Sequence, residues 1–205
     1  EDWVRTCLKD FHPIQIHNGF YILPSWLEAP EGAETTLKLD PGLAFGTGSH
    51  PTTFLCLKWL AQQPAEFLKQ KTMIDFGCGS GILAIGGALL GAGQIIATDI
   101  DPQALEATQS NSQQNHVSTQ IATCLPPQMD RSIKADIIMA NILAEPLISL
   151  VQEFTQFAKP GAALCLSGIL EEQTKDIIQA YESHWHGFEI QTFNGWSRIT
   201  AILKD

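Results

Sequence analysis

Residues 72–85 read Thr72-Met73-Ile74-Asp75-Phe76-Gly77-Cys78-Gly79-Ser80-Gly81-Ile82-Leu83-Ala84-Ile85. An apolar, strand-like run ends at Asp75, glycines follow at 77, 79 and 81, and a helix-compatible apolar run begins at Ile82. The pattern is a strand, a tight turn and a helix. Glycine suits the turn because it tolerates positive φ and has no Cβ to hold a ligand away from the backbone. The helix start behind it offers unpaired N–H groups and a positive dipole end, suited to a carboxylate or phosphate. The spacing D-x-G-x-G-x-G departs from the dinucleotide fingerprint G-x-G-x-x-G, because the third glycine comes one residue early. A second strand-like run, Gln94-Ile95-Ile96-Ala97-Thr98, ends at Asp99. A carboxylate there can accept from both ribose hydroxyls of a nucleoside-type cofactor.

Working outward, the chain alternates in βαβ style from residue 71. Strands are expected at 71–76, 94–99, 118–124, 135–140, 161–168, 186–192 and 196–203, and helices at 81–91, 102–115, 142–158 and 171–183. Asp101-Pro102 is an N-cap and N1 pair, and Lys159-Pro160-Gly161 ends one helix and turns into the next strand. Asn194-Gly195 between the last two runs favours a hairpin at the sheet edge. The expected fold is α/β: a doubly wound, mostly parallel seven-stranded sheet with one antiparallel strand near the C-terminus. Gly86-Gly87 inside the first helix of this unit costs roughly 2 kcal/mol relative to alanine; close packing on the sheet would account for it.

Upstream, Asn18-Gly19 joins two short strand-like runs, 12–16 and 20–24, in a plausible hairpin. Residues 28–34 form a loop rich in Pro, Gly and Glu. Pro41 to Thr53 is dense in Gly, Pro and hydroxyls, and Pro51 suits the first turn of a helix running to about Ala61. A loop of this composition just before the cofactor unit is a candidate active-site wall, with Phe45 as its large apolar group.

The 205 residues suit one domain plus an extension. With 44% hydrophobic residues a sizeable core is available, and no apolar run approaches the ~20 residues of a membrane span. The chain starts at Glu1 rather than Met, so it reads as a fragment. Five cysteines, an odd number without paired spacing, fit a reducing cytosol, and a cytoplasmic location is expected. The net charge of −10 argues against a nucleic-acid surface and fits ordinary solubility or a basic protein partner. A monomer is expected.

In such a sheet, ligands sit at the C-terminal ends of strands, where Asp75, Asp99 and Asn141 fall. The Asn141 amide can orient a nucleophilic nitrogen toward a methyl donor; alternatively it caps the following helix. Asp101 reads as a helix cap. Cys78 sits where a small side chain is wanted, with no base to activate it. His184 and His186 read as surface residues rather than metal ligands, and no metal is expected; His50, in the loop, stays open.

Taken together, these residues resemble the class I S-adenosylmethionine-dependent methyltransferases, and within them the PrmA type that modifies protein eleven of the large ribosomal subunit. The matching segments are Leu39 to Gly48 with His50-Pro51-Thr52-Thr53, Asp75 to Leu83, Thr98 to Pro102, Asn141-Ile142-Leu143-Ala144 and Leu166 to Leu170, in family order over 39–170. The loop from Phe45 to Thr53 beside Asn141-Ile142-Leu143-Ala144 is the specific part. Ser49 stands where the family more often has Thr.

The resemblance implies methyl transfer from S-adenosylmethionine to lysine and α-amino nitrogens of that ribosomal protein. It implies cofactor contacts by Thr53, Gly77, Asp99 and Asn141, and the candidate cofactor set is Thr53, Asp75, Gly77, Gly79, Asp99, Ile100 and Asn141. Asn141 is the candidate catalytic residue, and Phe45, Thr47 and His50 form the substrate-side loop. It also implies that a substrate-recognition domain is missing, with 1–36 as the segment joining it to a catalytic domain at 37–205. Three rivals stand beside it: a class I methyltransferase acting on another protein, an amide, a base or a small-molecule amine; an NAD-dependent oxidoreductase; and a cofactor-binding module without activity. Methyltransferases of planar amide or base nitrogens typically carry an aromatic Asn-Pro-Pro-Tyr turn, which Asn141-Ile142-Leu143-Ala144 lacks.

Overall fold

The computed structural model describes residues 12–40 and 49–205. The chain opens with a small sheet of β1 (Ile14–His17), β2 (Phe20–Leu23) and β3 (Thr35–Lys38). Helices α1 (Pro51–Gln62) and α2 (Ala65–Leu68) lead into β4 (Thr72–Phe76). Then follow α3 (Ile82–Leu89), β5 (Gln94–Thr98), α4 (Pro102–Gln114), β6 (Ile121–Cys124) and β7 (Ala135–Asn141). The last third holds α5 (Ala144–Ser149), α6 (Val151–Phe157), β8 (Ala158–Leu170), α7 (Thr174–Tyr181), β9 (Trp185–Phe193) and β10 (Trp196–Leu203).

The main sheet has seven strands in the order β6-β5-β4-β7-β8-β10-β9. Pairing is parallel from β6 to β8, and β10 runs antiparallel to both β8 and β9. This is the expected architecture. The Asn194-Gly195 turn sets β10 against β9, so the one reversed strand lies between β8 and the edge strand β9. The central strands are buried on both faces, which is why they read as continuous apolar runs. Met73, Ile95, Ile137 and Cys165 face the side of α1 and α3, whereas Ile74, Ile96, Ile138 and Leu164 face α5, α6 and α7.

The glycine pair in α3 has the expected packing reason. A Cβ on Gly86 would press into the buried Leu57 side chain of α1, and one on Gly87 would lie 2.7 Å from the Met73 sulfur of β4. Bare backbone lets α3 approach both neighbours.

Four elements differ from expectation. The helix expected over 142–158 is two helices that reset at Leu150, whose φ of −91° and ψ of 2° leave the helical region. The strand at 118–124 shortens to Ile121–Cys124, and the helix at 171–183 begins as a 3-10 turn over Glu171–Gln173. Finally, β3 pairs in parallel with β2, beyond the hairpin at Asn18-Gly19. The Asn115 side chain closes the other edge of β3: its Oδ1 accepts from Lys38 N and its Nδ2 donates to Lys38 O, both at 2.7 Å. The boundary expected between 36 and 37 therefore falls inside a strand, and Ile16, Phe20, Ile22 and Leu37 share one core with α1 and α3.

Candidate active site

A cleft of about 660 Å³ runs along the edge where β4, β5, β7 and β8 end. The glycine turn forms its floor. Gly77 N and Cys78 N both donate to Thr98 O, at 2.8 and 3.1 Å, so the turn hangs from the end of β5. The Asp99 carboxylate locks it: Oδ2 accepts from Gly79 N and Oδ1 from Asp101 N, each at 3.0 Å. A carboxylate oxygen has two lone-pair sites, so each keeps capacity for another donor from the cleft. Asp101 Oδ1 accepts from Gln103 N at 2.9 Å, the cap expected for α4.

Cys78 is 5% exposed, and burial pushes its thiol well above the ordinary range, with the charge of Asp75 adding to the rise. It carries no nucleophilic thiolate. Asp75 stands one layer behind the lining at 1% exposure, and its Oδ2 accepts from Ala84 N at 3.1 Å in the first turn of α3. Burial pushes its carboxyl up to about 7 against the pull of that N–H, and Asp99 adds to the rise. Ile100, 86% exposed, joins Phe76 and Pro126 in an apolar wall beside Asp99.

Asn141 ends β7 opposite Ser167 of β8 and lines the same cleft. The capping alternative is removed, because Leu143 occupies the N-cap of α5 and no side chain caps it. Instead Asn141 Nδ2 donates to Thr53 Oγ1 at 3.3 Å, so one N–H fixes the amide and Oδ1 keeps its acceptor capacity for the cleft. Thr53 is 1% exposed and, like Asp75, sits behind the lining; its neighbour Thr52 belongs to it. His50 caps α1, with Nδ1 2.8 Å from Thr52 Oγ1 and 3.4 Å from Thr52 N. Phe45 and Thr47 lie outside the described residues.

Sequence reasoning missed Trp196. It lines the cleft and meets the His50 ring edge-on, with centroids 4.9 Å apart. The signal was present: β10 is antiparallel, so its first residue lands at the edge where the parallel strands end. Gly168, inside β8, and Pro126 and Leu143, just beyond β6 and β7, were also missed as lining residues. His184 and His186 lie away from the cleft; His184 Nε2 is 3.2 Å from Gln152 Nε2. Among the described residues no group of three or more His, Cys, Asp or Glu is arranged to hold a metal ion. Among them, too, no helix is long and apolar enough to cross a membrane.

The family described as ribosomal protein L11 methyltransferase (PrmA) matches residues 1–204. A ribosomal protein L11 methyltransferase of Teredinibacter turnerae is 51% identical over 204 residues, covering 100% of this chain and 67% of the relative. One of Saccharophagus degradans is 46% identical, covering 100% of this chain and 69% of its own. The crystal structure of a ribosomal protein L11 methylase from Lactobacillus delbrueckii subsp. bulgaricus is similar with a TM-score of 0.84 at 31% identity, over 95% of this chain and 100% of that one. The oxidoreductase reading finds no support in these likenesses or in the glycine spacing. The segments that carry the resemblance, the sheet order and the match along the chain agree: this chain belongs to the ribosomal protein L11 methyltransferase (PrmA) family.

Proposed function

We propose that the chain transfers methyl groups from S-adenosylmethionine to amino groups of ribosomal protein L11, on lysine side chains and the α-amine. One observation carries the reading: a single cleft is lined both by a fixed carboxylate, Asp99, and by an oriented amide, Asn141.

The residues present fit the cofactor. The Asp99 oxygens have room to accept from a ribose diol, and Ile100 with Pro126 offers an apolar face suited to a base. At Gly77 a Cβ would collide with the Cγ2 of Ile142, itself a lining residue, so bare backbone is required at the cleft floor. When bound, S-adenosylmethionine supplies an activated methyl group. Gly77, Gly79, Asp99, Ile100 and Asn141 are the residues that would hold it. Thr53 acts through Asn141, and Asp75 secures the start of α3.

The protein's task is alignment and control of the acceptor's proton. A lysine with pKa ~10.4 costs roughly 4–5 kcal/mol to deprotonate at pH 7. Among the described residues the carboxylates that line the cleft are those of Asp99, assigned above to the ribose, and Glu153. Asp99 is held by two backbone N–H groups, and Glu153 pairs with Arg131 at 2.9 Å. The apolar surfaces of Ile142, Leu143 and Trp196 therefore favour the neutral amine by desolvation. The proton leaves to solvent before attack, and Asn141 Oδ1 accepts a remaining N–H so that the nitrogen lone pair faces the methyl group.

The test is methyl-labelled transfer to purified L11, with mass spectrometry to locate the label. Label on amines supports the reading; label confined to other atoms, or transfer to RNA instead of protein, refutes it.

A further inference from the structure

Ile142 of the acceptor-side turn packs against the cofactor loop at Gly77. Ile142 follows Asn141 directly and lines the cleft. A Cβ on Gly77 would overlap its Cγ2 methyl, so the Ile142 side chain sits in the notch that Gly77 leaves bare. On the other side, a Cβ on Gly168 would overlap the Ile142 carbonyl and crowd its backbone N at 3.0 Å. Both glycines have left-handed backbones, with φ of +73° and +85°. Ile142 is thus clamped between the ends of β4 and β8, with its branched carbon on the cofactor loop and its backbone on Gly168. Asn141, one residue back, is held to α1 by Thr53.

We infer that Ile142 is a positioning residue: its Cγ2 methyl, seated against Gly77, sets the distance between the cofactor loop and the Asn141 amide. The inference rests on the reading of Asn141 given above. The chemistry needs such a gauge, because a misplacement of about 1 Å can cost a hundredfold in rate. Backbone pairing of β4 with β7 ends at Phe76 beside Ala140, one residue before each turn, and the Ile142 methyl carries the contact beyond it.

Side-chain shape gives the test. Ile142→Val keeps the γ-methyl in the notch and loses only the terminal carbon. Ile142→Leu keeps the volume but has no second γ-carbon. Ile142→Ala empties the notch. Each is assayed for S-adenosylhomocysteine affinity by calorimetry and for L11 methylation at saturating cofactor and substrate. The Val variant is expected to keep turnover near wild type. The Leu and Ala variants are expected to lose about ten- to a hundredfold in kcat, with cofactor affinity unchanged within error. A cofactor-free readout accompanies this. Gly77→Ala should lower the thermal midpoint, and Ile142→Ala in the same chain should restore part of that loss, because it removes the methyl that the new Cβ meets.

Leu performing as well as Val, or affinity falling in step with turnover, would overturn the inference. Additive midpoints in the double variant would do the same. Asn141→Ala, run alongside, separates the two levels. If it leaves turnover intact, the reading of Asn141 fails; if it lowers turnover while Leu equals Val, only the role of Ile142 fails.

Discussion

Asp99→Ala removes the carboxylate that ties the glycine turn to the start of α4. In the folded chain it accepts from Gly79 N and Asp101 N at 3.0 Å each, and its remaining lone pairs face the cleft. A hydrogen bond to a charged group contributes about 1.5–3 kcal/mol. Two ribose donors share one half-buried carboxylate, so the loss is taken as one such contribution rather than two. That corresponds to a rise in Kd of roughly 10- to 150-fold. The assay is titration calorimetry with S-adenosylhomocysteine, on protein whose circular dichroism matches wild type. Asp99→Glu refines it. The charge remains, but one extra methylene moves the carboxylate, so it cannot meet both N–H groups and the ribose together. Affinity should fall there as well. An unchanged Kd in folded Asp99→Ala would refute the assignment of Asp99 to the ribose, and with it the direction in which the cofactor lies.

Asn141→Ala should lower turnover far more than stability, since the residue caps no helix, whereas Thr53→Val removes only the acceptor that orients the amide. A neutral bond of this kind is worth about 1 kcal/mol, so the Val variant should lose only severalfold in kcat; equal losses in both would contradict Thr53 acting through Asn141. Asp75 has a folded pKa raised from 3.8 to about 7, so the native state holds the extra proton between those values. Its unfavourable ionisation is absent below about pH 4, grows as pH rises, and is complete above about 7. Asp75→Asn, which can keep the Ala84 N–H bond, should therefore gain about 2–3 kcal/mol of stability relative to wild type as pH rises from 5 to 8. A difference that does not change with pH in denaturant unfolding would contradict this. Because only the neutral amine attacks, kcat/KM at saturating cofactor should rise about tenfold per pH unit below the amine pKa, and a flat profile from pH 6 to 8 would point to a base in the cleft.

The parallel part of the fold was legible because each unit carries local signals. Asp75 with its glycines, Asp101-Pro102 and Asn194-Gly195 all mark their turns in sequence, and strands buried on both faces announce themselves as apolar runs. What escaped depends on distant partners. Thr35–Lys38 is too short to declare itself, and becomes a strand only through β2 and the Asn115 amide. The reset at Leu150 lets Ala144 and Leu147, then Val151, Phe154 and Phe157, bury separate stripes, and one continuous helical pattern fits nearly as well by eye. At the site, the strand-end residues Asp99 and Asn141 were found because ligands bind at strand ends in such sheets. Trp196 follows from the reversed direction of β10 that Asn194-Gly195 already marks, whereas Gly168 is tied to the site by the seating of Ile142, which spacing does not encode. Thr53 and Asp75 were placed at the right end of the sheet, but the burial that sets them one layer back comes only with packing.

The most direct measurement is labelled methyl transfer from S-adenosylmethionine to purified ribosomal protein L11, comparing this chain with its Asp99→Ala variant at a cofactor concentration near the wild-type Kd. The prediction is incorporation on lysine or α-amino nitrogen by the wild type and a loss in the variant that higher cofactor concentration restores. Label on L11 amines that is equal in the two proteins at every cofactor concentration, or found on no amine at all, would contradict methyl transfer at this cleft.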